Sequence, residues 1–232
     1  MRNLQRLPAS RRRYRRMRLY AAHTTGARNR AALRRHGFGM LGSAAYRWTD
    51  DEWSSVDSGG LGWALDNGAW GAFTAGKPFD GDAFKRAVVE AGRVDFVVCP
   101  DVVADAEGTR RMIDRWLAWT IEHANARRVL LPVQNGMEHD TIRWSDTIGV
   151  FVGGDSAWKD ATIGLWAKQA RDAGSYCHVG RVNTAARLDS CVFHGVDSCD
   201  GSGASIYSIH AHKMAQWARM AHNQQRLFRG ER

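Results

Sequence analysis

Residues 176–200 read YCHVGRVNTAARLDSCVFHGVDSCD. Tyr176–Val179 is a short apolar run that stops at a glycine and a polar turn. Thr184–Phe193 then has the spacing of a helix, and Gly195–Cys199 is a second β-prone run. Strand, helix and strand within 25 residues form one unit of an alternating α/β fold, whose strands must be parallel because a helix carries the chain back each time.

Working outward, the same unit repeats. Strands are expected at Arg18–Ala22, Gly37–Leu41, Leu61–Asp66, Val94–Cys99, Val129–Val133, Gly149–Val152, Tyr176–Val179 and Gly195–Cys199. Helices are expected at Ala27–Arg35, Gly81–Ala91, Asp105–Ala124, around Ala157–Ala173, at Thr184–Phe193 and at Ile209–Leu227. Gly37 and Gly174 stand where helix ends are capped. Eight strands with short helices between them fit a single (β/α)8 TIM-type barrel better than an open sheet. The barrel is assigned to residues 18–232, ending in a C-terminal helix, with residues 1–17 as a basic N-terminal arm. Thr49–Gly60 is the expected long surface loop.

Composition narrows the function class. No run approaches the length of an apolar membrane span and no secretory leader is visible, so a soluble cytoplasmic protein without membrane contact is expected. The four cysteines form no C-x-x-C pair, which argues against a disulfide framework or a cysteine-based metal site. No metal and no cofactor is expected. Twelve of the 33 basic residues are arginines within residues 1–35, where no Asp or Glu occurs. The rest of the chain, with 21 basic and 24 acidic groups, is slightly acidic. Arg11, Arg12, Arg13, Arg15, Arg16 and Arg18 could neutralise several phosphates of a nucleic acid.

In a barrel of this kind the loops after the strands share one mouth, and polar residues there are candidates for chemistry. Asp66 closes the third strand, Asp101 follows the fourth, Gln134 the fifth and Gly153-Gly154 the sixth, while Asp200 ends the eighth. A lone Asp after a strand is more often a helix cap or turn residue, so it is their convergence that carries weight. Trp70 and Trp158 could stack on a flat ligand, whereas Trp116, Trp119 and Trp166 have the spacing of packing residues. His178, His23 and the Arg181-Val182-Asn183 turn could line the pocket or hold a phosphate, with Asn183 or Thr184 equally suited to cap the next helix. His210 and His212 point to different helix faces, and Gly201-Ser202-Gly203 lacks the lysine of a P-loop.

Five segments resemble, in order, those of the tRNA-guanine transglycosylases. Leu65-Asp66-Asn67-Gly68-Ala69-Trp70 is similar to D-S-G-G-F, Cys99-Pro100-Asp101 stands at the second Asp, and Pro132-Val133-Gln134-Asn135-Gly136 resembles V-Q-G-G. Phe151-Val152-Gly153-Gly154 is similar to G-G-L/F, and Gly195-Val196-Asp197-Ser198-Cys199-Asp200 resembles G-(V/I)-D-M-F-D. The resemblance covers about residues 60–205. It implies Asp200 as a covalent nucleophile, Asp66 as general acid/base, and a base pocket of Asp101, Gln134 and the Gly153-Gly154 backbone. The P-T-R segment and the zinc cluster of the tRNA enzymes have no counterpart here. The chain thus looks more like the DNA-guanine transglycosylases of bacterial and phage 7-deazaguanine modification systems, which act in the host cytoplasm. DNA and a 7-deazaguanine base, such as 7-cyano-7-deazaguanine, are the implied partners, with tRNA or a non-catalytic nucleic-acid-binding barrel as alternatives.

The arm supplies a direct expectation. Deleting residues 1–16 should weaken DNA binding and flatten its salt dependence, since each lost phosphate contact removes about 0.9 from the log–log slope. Losing four contacts should change that slope by about 3 to 4 units in a salt titration. An unaltered slope would mean that the arm holds no phosphate.

Overall fold

The computed structural model describes residues 16–48 and 61–228, so the expected loop Thr49–Gly60 and Arg11, Arg12, Arg13 and Arg15 lie outside the described residues. Eight parallel strands are present: β1 (Arg18–Ala22), β2 (Gly39–Ser43), β3 (Trp63–Asp66), β4 (Val97–Val98), β5 (Val129–Val133), β6 (Ile148–Val152), β7 (Cys177–Val179) and β8 (Ser198–Gly201). They close into a barrel in chain order, β8 pairing back onto β1 with Tyr20 opposite Asp200. The described helices are α1 (Ala27–Arg35), α2 (Ala69–Thr74), α3 (Gly81–Glu90), α4 (Ala106–His123), α5 (Ser156–Asp172), α6 (Ala185–His194), α7 (Gly203–Ile206) and α8 (Ser208–Phe228). This is the TIM-type barrel read from the sequence.

The departures have local causes. Gly195 is the left-handed C-cap of α6 at φ 73°, so the helix end claims it and the last strand begins only at Ser198. Gly37, at φ 71°, likewise closes α1 and delays β2 to Gly39. Val94 makes an isolated bridge to Ala126, which leaves Val97–Val98 as the paired part of β4. Two short helices, α2 and α7, are too brief to display helical periodicity and were not expected.

Side chains alternate across the barrel wall, as the two-residue period of a strand requires. Val129, Leu131, Val133, Val150, Val152, Cys177, Val179 and Cys199 join the layer between barrel and helices. Tyr20, Leu41, Ala64, Phe96, Val98 and Leu130 fill the interior, with Phe151 and Tyr176 packed on them. Phe96 lies 5.3 Å from Tyr20 and 4.9 Å from His178 between ring centroids, so it binds this inner cluster together. Trp116, Trp158 and Trp166 belong to the outer layer, with Trp119 packed against it. This fits the packing role expected for three of them, but for Trp158 it replaces the stacking role.

At the lower end, Arg18 pairs with Asp95 at 3.3 Å and lies over the Tyr20 ring. Met17 is buried, and its backbone N–H donates to Nε2 of His222 at 3.2 Å. Met17 is thus packed into the body one residue before β1, and Arg18 is held at the end of the barrel opposite the loops that follow the strands.

Because Phe96 is fully enclosed, Phe96→Ala should lower the unfolding free energy by about 3–5 kcal/mol, measured by denaturant titration. A loss below about 1 kcal/mol would show that the interior collapses onto the gap.

Candidate active site

Asp66, Asp101 and Asp200 meet in one pocket of about 660 Å³ at the C-terminal end of the barrel, with Gln134, Gly153, Gly154 and Trp70 also on its walls. Parallel strand direction is the reason: every loop after a strand opens on this face. None of the three carboxylates serves as a helix cap. The caps are Asp80, Asp105, Asp155 and Thr184, each accepting backbone N–H groups in the first turn of its helix.

Each carboxylate is held differently. Oδ2 of Asp66 accepts the N–H of Gly68 at 3.0 Å, a turn that Gly68 makes possible at φ 85°. Asp101 accepts from the Asn67 amide at 2.8 Å on one oxygen and from the Gln134 amide on the other. Asn67 also donates to the Cys99 carbonyl at 2.8 Å and accepts the Ala69 N–H at 2.8 Å. Oδ1 of Asp200 meets Nε2 of His178 at 3.0 Å and accepts the Arg181 N–H at 3.2 Å. Its second oxygen, Oδ2, has no hydrogen bond among the described residues.

His178 is the inward residue of β7, buried and stacked on Phe151. Its Nδ1 lies 2.7 Å from the Ser198 hydroxyl, and Ser198 accepts from the Tyr176 hydroxyl at 2.8 Å. Burial pushes the Tyr176 phenol up to about 12, so it stays a donor at neutral pH. The network then assigns the tautomer: Tyr176 donates to Ser198, Ser198 to Nδ1, and Nε2–H to Asp200.

Gln134, on the pocket wall, is held at both ends of its amide. Its Oε1 accepts the N–H groups of Gly154 at 2.6 Å and Ala104 at 3.1 Å, while its amide turns to Asp101. The Gly153 N–H goes to the Val133 carbonyl at 3.0 Å. The backbone N–H groups expected to meet a base are thus used within the loop, and Gln134 positions Asp101. Gly153 is required because a Cβ there would sit 2.4 Å from Nε2 of Gln134. Trp70, 43% exposed at the rim, has the Arg181 guanidinium 3.8 Å over its ring, and Arg181 also donates to the Gly154 carbonyl at 2.7 Å. Arg181 so reaches from the β7 loop across to α2. Trp158 lies under Gly154 with its indole N–H on Glu138 and is not on the pocket wall.

Asn67, Arg187 and Lys159 line the pocket without having been given a role from the sequence. Asn67 was hidden beside Asp66, and Arg187 looked like an ordinary helix residue. Lys159 had a signal: a lysine in the first turn of a helix opposes the helix dipole. It is 1% exposed, donates to the Gly180 carbonyl at 2.6 Å and has its pKa lowered to about 8, chiefly by burial.

Burial also raises Asp66 from 3.8 to about 7, with Asp101 and Asp200 adding like-charge repulsion against the hydrogen bond from Gly68. Asp101 rises to about 6, again mainly by burial, held back by Asn67 and Gln134. Near neutral pH the pocket thus has a carboxyl that can both give and take a proton. Among the described residues no group of His, Cys, Asp or Glu is placed to hold a metal ion, and no helix is long and apolar enough to cross a membrane. Compared with known proteins, the chain matches no family model and no curated sequence.

A carboxyl whose folded value lies above its unfolded one favours the folded state fully below about pH 4, and that advantage is lost as pH rises through about 7. Asp66→Asn keeps an acceptor for Gly68 and removes the charge. It should raise stability by about 4 kcal/mol at pH 8, with the gain shrinking to nothing near pH 4 in thermal melts across pH. A gain independent of pH would show that Asp66 titrates normally.

Proposed function

We propose that this chain is a base-exchange enzyme of the guanine transglycosylase type, replacing guanine in DNA by a 7-deazaguanine base through an aspartyl-glycosyl intermediate. The observation that carries the reading is the convergence of Asp66, Asp101 and Asp200 in one pocket, with one carboxyl raised to about 7 and another left with a free oxygen. The resemblance of five ordered segments to the transglycosylases points the same way.

The chemistry follows from these groups. Oδ2 of Asp200 attacks C1′ while the bond from C1′ to N9 breaks, and His178 and the Arg181 N–H hold Oδ1 so that the other oxygen is presented. The departing guanine takes its proton from Asp66. The incoming base then gives its N9 proton back to Asp66, attacks C1′ and releases Asp200, so two displacements preserve the configuration. Asp101, fixed by Asn67 and Gln134, offers an acceptor-only group to the donor edge of guanine, formed by N1–H and the exocyclic amine. A base inside a duplex must first leave the stack.

A polyanionic substrate is supported by charge placement. Helix α1 carries Arg28, Arg30, Arg34 and Arg35 and packs beside α8 with Lys213, Arg219 and Arg226, and neither helix contains Asp or Glu. The other long helices mix signs. The basic character of residues 1–35 therefore continues onto a folded face where it can meet phosphates.

Asp200→Asn should reduce exchange of labelled guanine into DNA to below a few per cent of wild type, and a denaturing gel should lose a protein–DNA adduct that wild type shows. Substantial exchange by the variant would sink the assignment of the nucleophile.

A further inference from the structure

Base exchange as described leaves one wall of the pocket without work. The same pocket is lined by Lys159 in the first turn of α5, Arg181 after β7, and Arg187 in the first turn of α6. Three like charges sit close enough to disturb one another. Arg187 and Arg181 both lower the pKa of Lys159, and Arg187 lowers that of Arg181, in each case after burial. Lys159 has three donors, and the Gly180 carbonyl is its hydrogen-bond partner among the described residues.

Such an arrangement opposes itself in three ways. An ammonium is buried, it stands at the positive end of a helix dipole, and it neighbours two guanidinium groups. Asp160 holds Arg187 through two hydrogen bonds of 2.6 and 2.9 Å, and Asp200 draws on Lys159 and Arg181. A bound anion would turn all three penalties into attractions. The location agrees, since phosphate groups in these barrels collect at the loops after the last strands, and Ser202 of the β8 loop borders this wall.

We propose that Lys159, Arg181 and Arg187 form a phosphate subsite, which holds a backbone phosphate beside the nucleotide whose sugar Asp200 attacks. The assignment of that phosphate to a nucleic-acid strand rests on the base-exchange reading; the anion site itself does not. The Arg181 N–H touches Asp200, so the residue that carries one of the three cations also borders the carboxylate that attacks the sugar. A phosphate would also draw the Arg181 guanidinium from Trp70 and open that ring face to the base. The pocket is then bipolar, with carboxylates for the base and cations for the backbone, and a nucleotide fits it in one direction.

Inorganic phosphate is the first probe, followed by phosphorus NMR titration of the full chain. Wild type should bind it saturably, and Lys159→Met and Arg187→Gln should each weaken binding at least tenfold. Arg187 lies at the pocket edge, so its variant remains informative should Lys159→Met fold poorly. Absence of saturable binding, or wild-type affinity in both variants, would overturn the subsite. In a second arm, wild type binds a trinucleotide with a central dG whose flanking phosphates are replaced one at a time by neutral methylphosphonate. One replacement should weaken binding about tenfold and the other far less. Equal tolerance on both sides would overturn the assignment to a strand phosphate. Phosphate binding that behaves as expected while Asp200→Asn still exchanges guanine would leave the subsite standing and remove only the nucleophile.

Discussion

Three carboxylates share a pocket floor that water reaches poorly, and much of the surrounding structure serves to make that tolerable. Burial pushes Asp66 and Asp101 toward the neutral form. Two polar side chains hold Asp101, a backbone turn holds Asp66, and an imidazole with a backbone N–H holds Asp200. Unequal support separates them chemically, so like residues can take different roles. The backbone carries part of the cost: Ala104 and Arg181 adopt left-handed conformations at φ 55° and 57°, roughly 1 kcal/mol each for residues with a Cβ. Both use that conformation to aim an N–H, Ala104 at Gln134 and Arg181 at Asp200.

Support for the site extends down the barrel axis. His178 connects Asp200 to Ser198 and Tyr176, and its ring is packed by Phe151 and Phe96. The interior aromatic cluster thus fixes the imidazole that fixes the carboxylate. At the foot, Tyr20 donates to Asp95, which also pairs with Arg18. Polar groups at both ends and an apolar middle explain how one barrel interior holds a stable core and a reactive mouth together.

Charge is sorted on a larger scale in the same way. The pocket holds carboxylates and cations in one lining, while the acid-free pair α1 and α8 gathers positive charge on the outer surface. Short-range contrast selects orientation because the dielectric is low inside the pocket; the outer surface acts at longer range and is screened by salt.

The sequence by itself determined the barrel and the positions where chemistry could gather. Alternating strand and helix signals, punctuated by Gly37 and Gly174, are local properties of the chain, and parallel strands force Asp66, Asp101 and Asp200 to one face. Residues 1–35 also show their charge without any fold. Only the tertiary structure decided what each polar group does. It tied Gln134 to Asp101, placed His178 under Asp200, left Trp158 off the pocket wall and brought Lys159, Arg181 and Arg187 together. Hydrogen-bond partners and desolvation depend on residues 20 to 34 positions apart in the chain, as between Asn67 and Asp101 or His178 and Asp200. No periodicity along the sequence encodes such distances, because they arise when separate strands close into one ring.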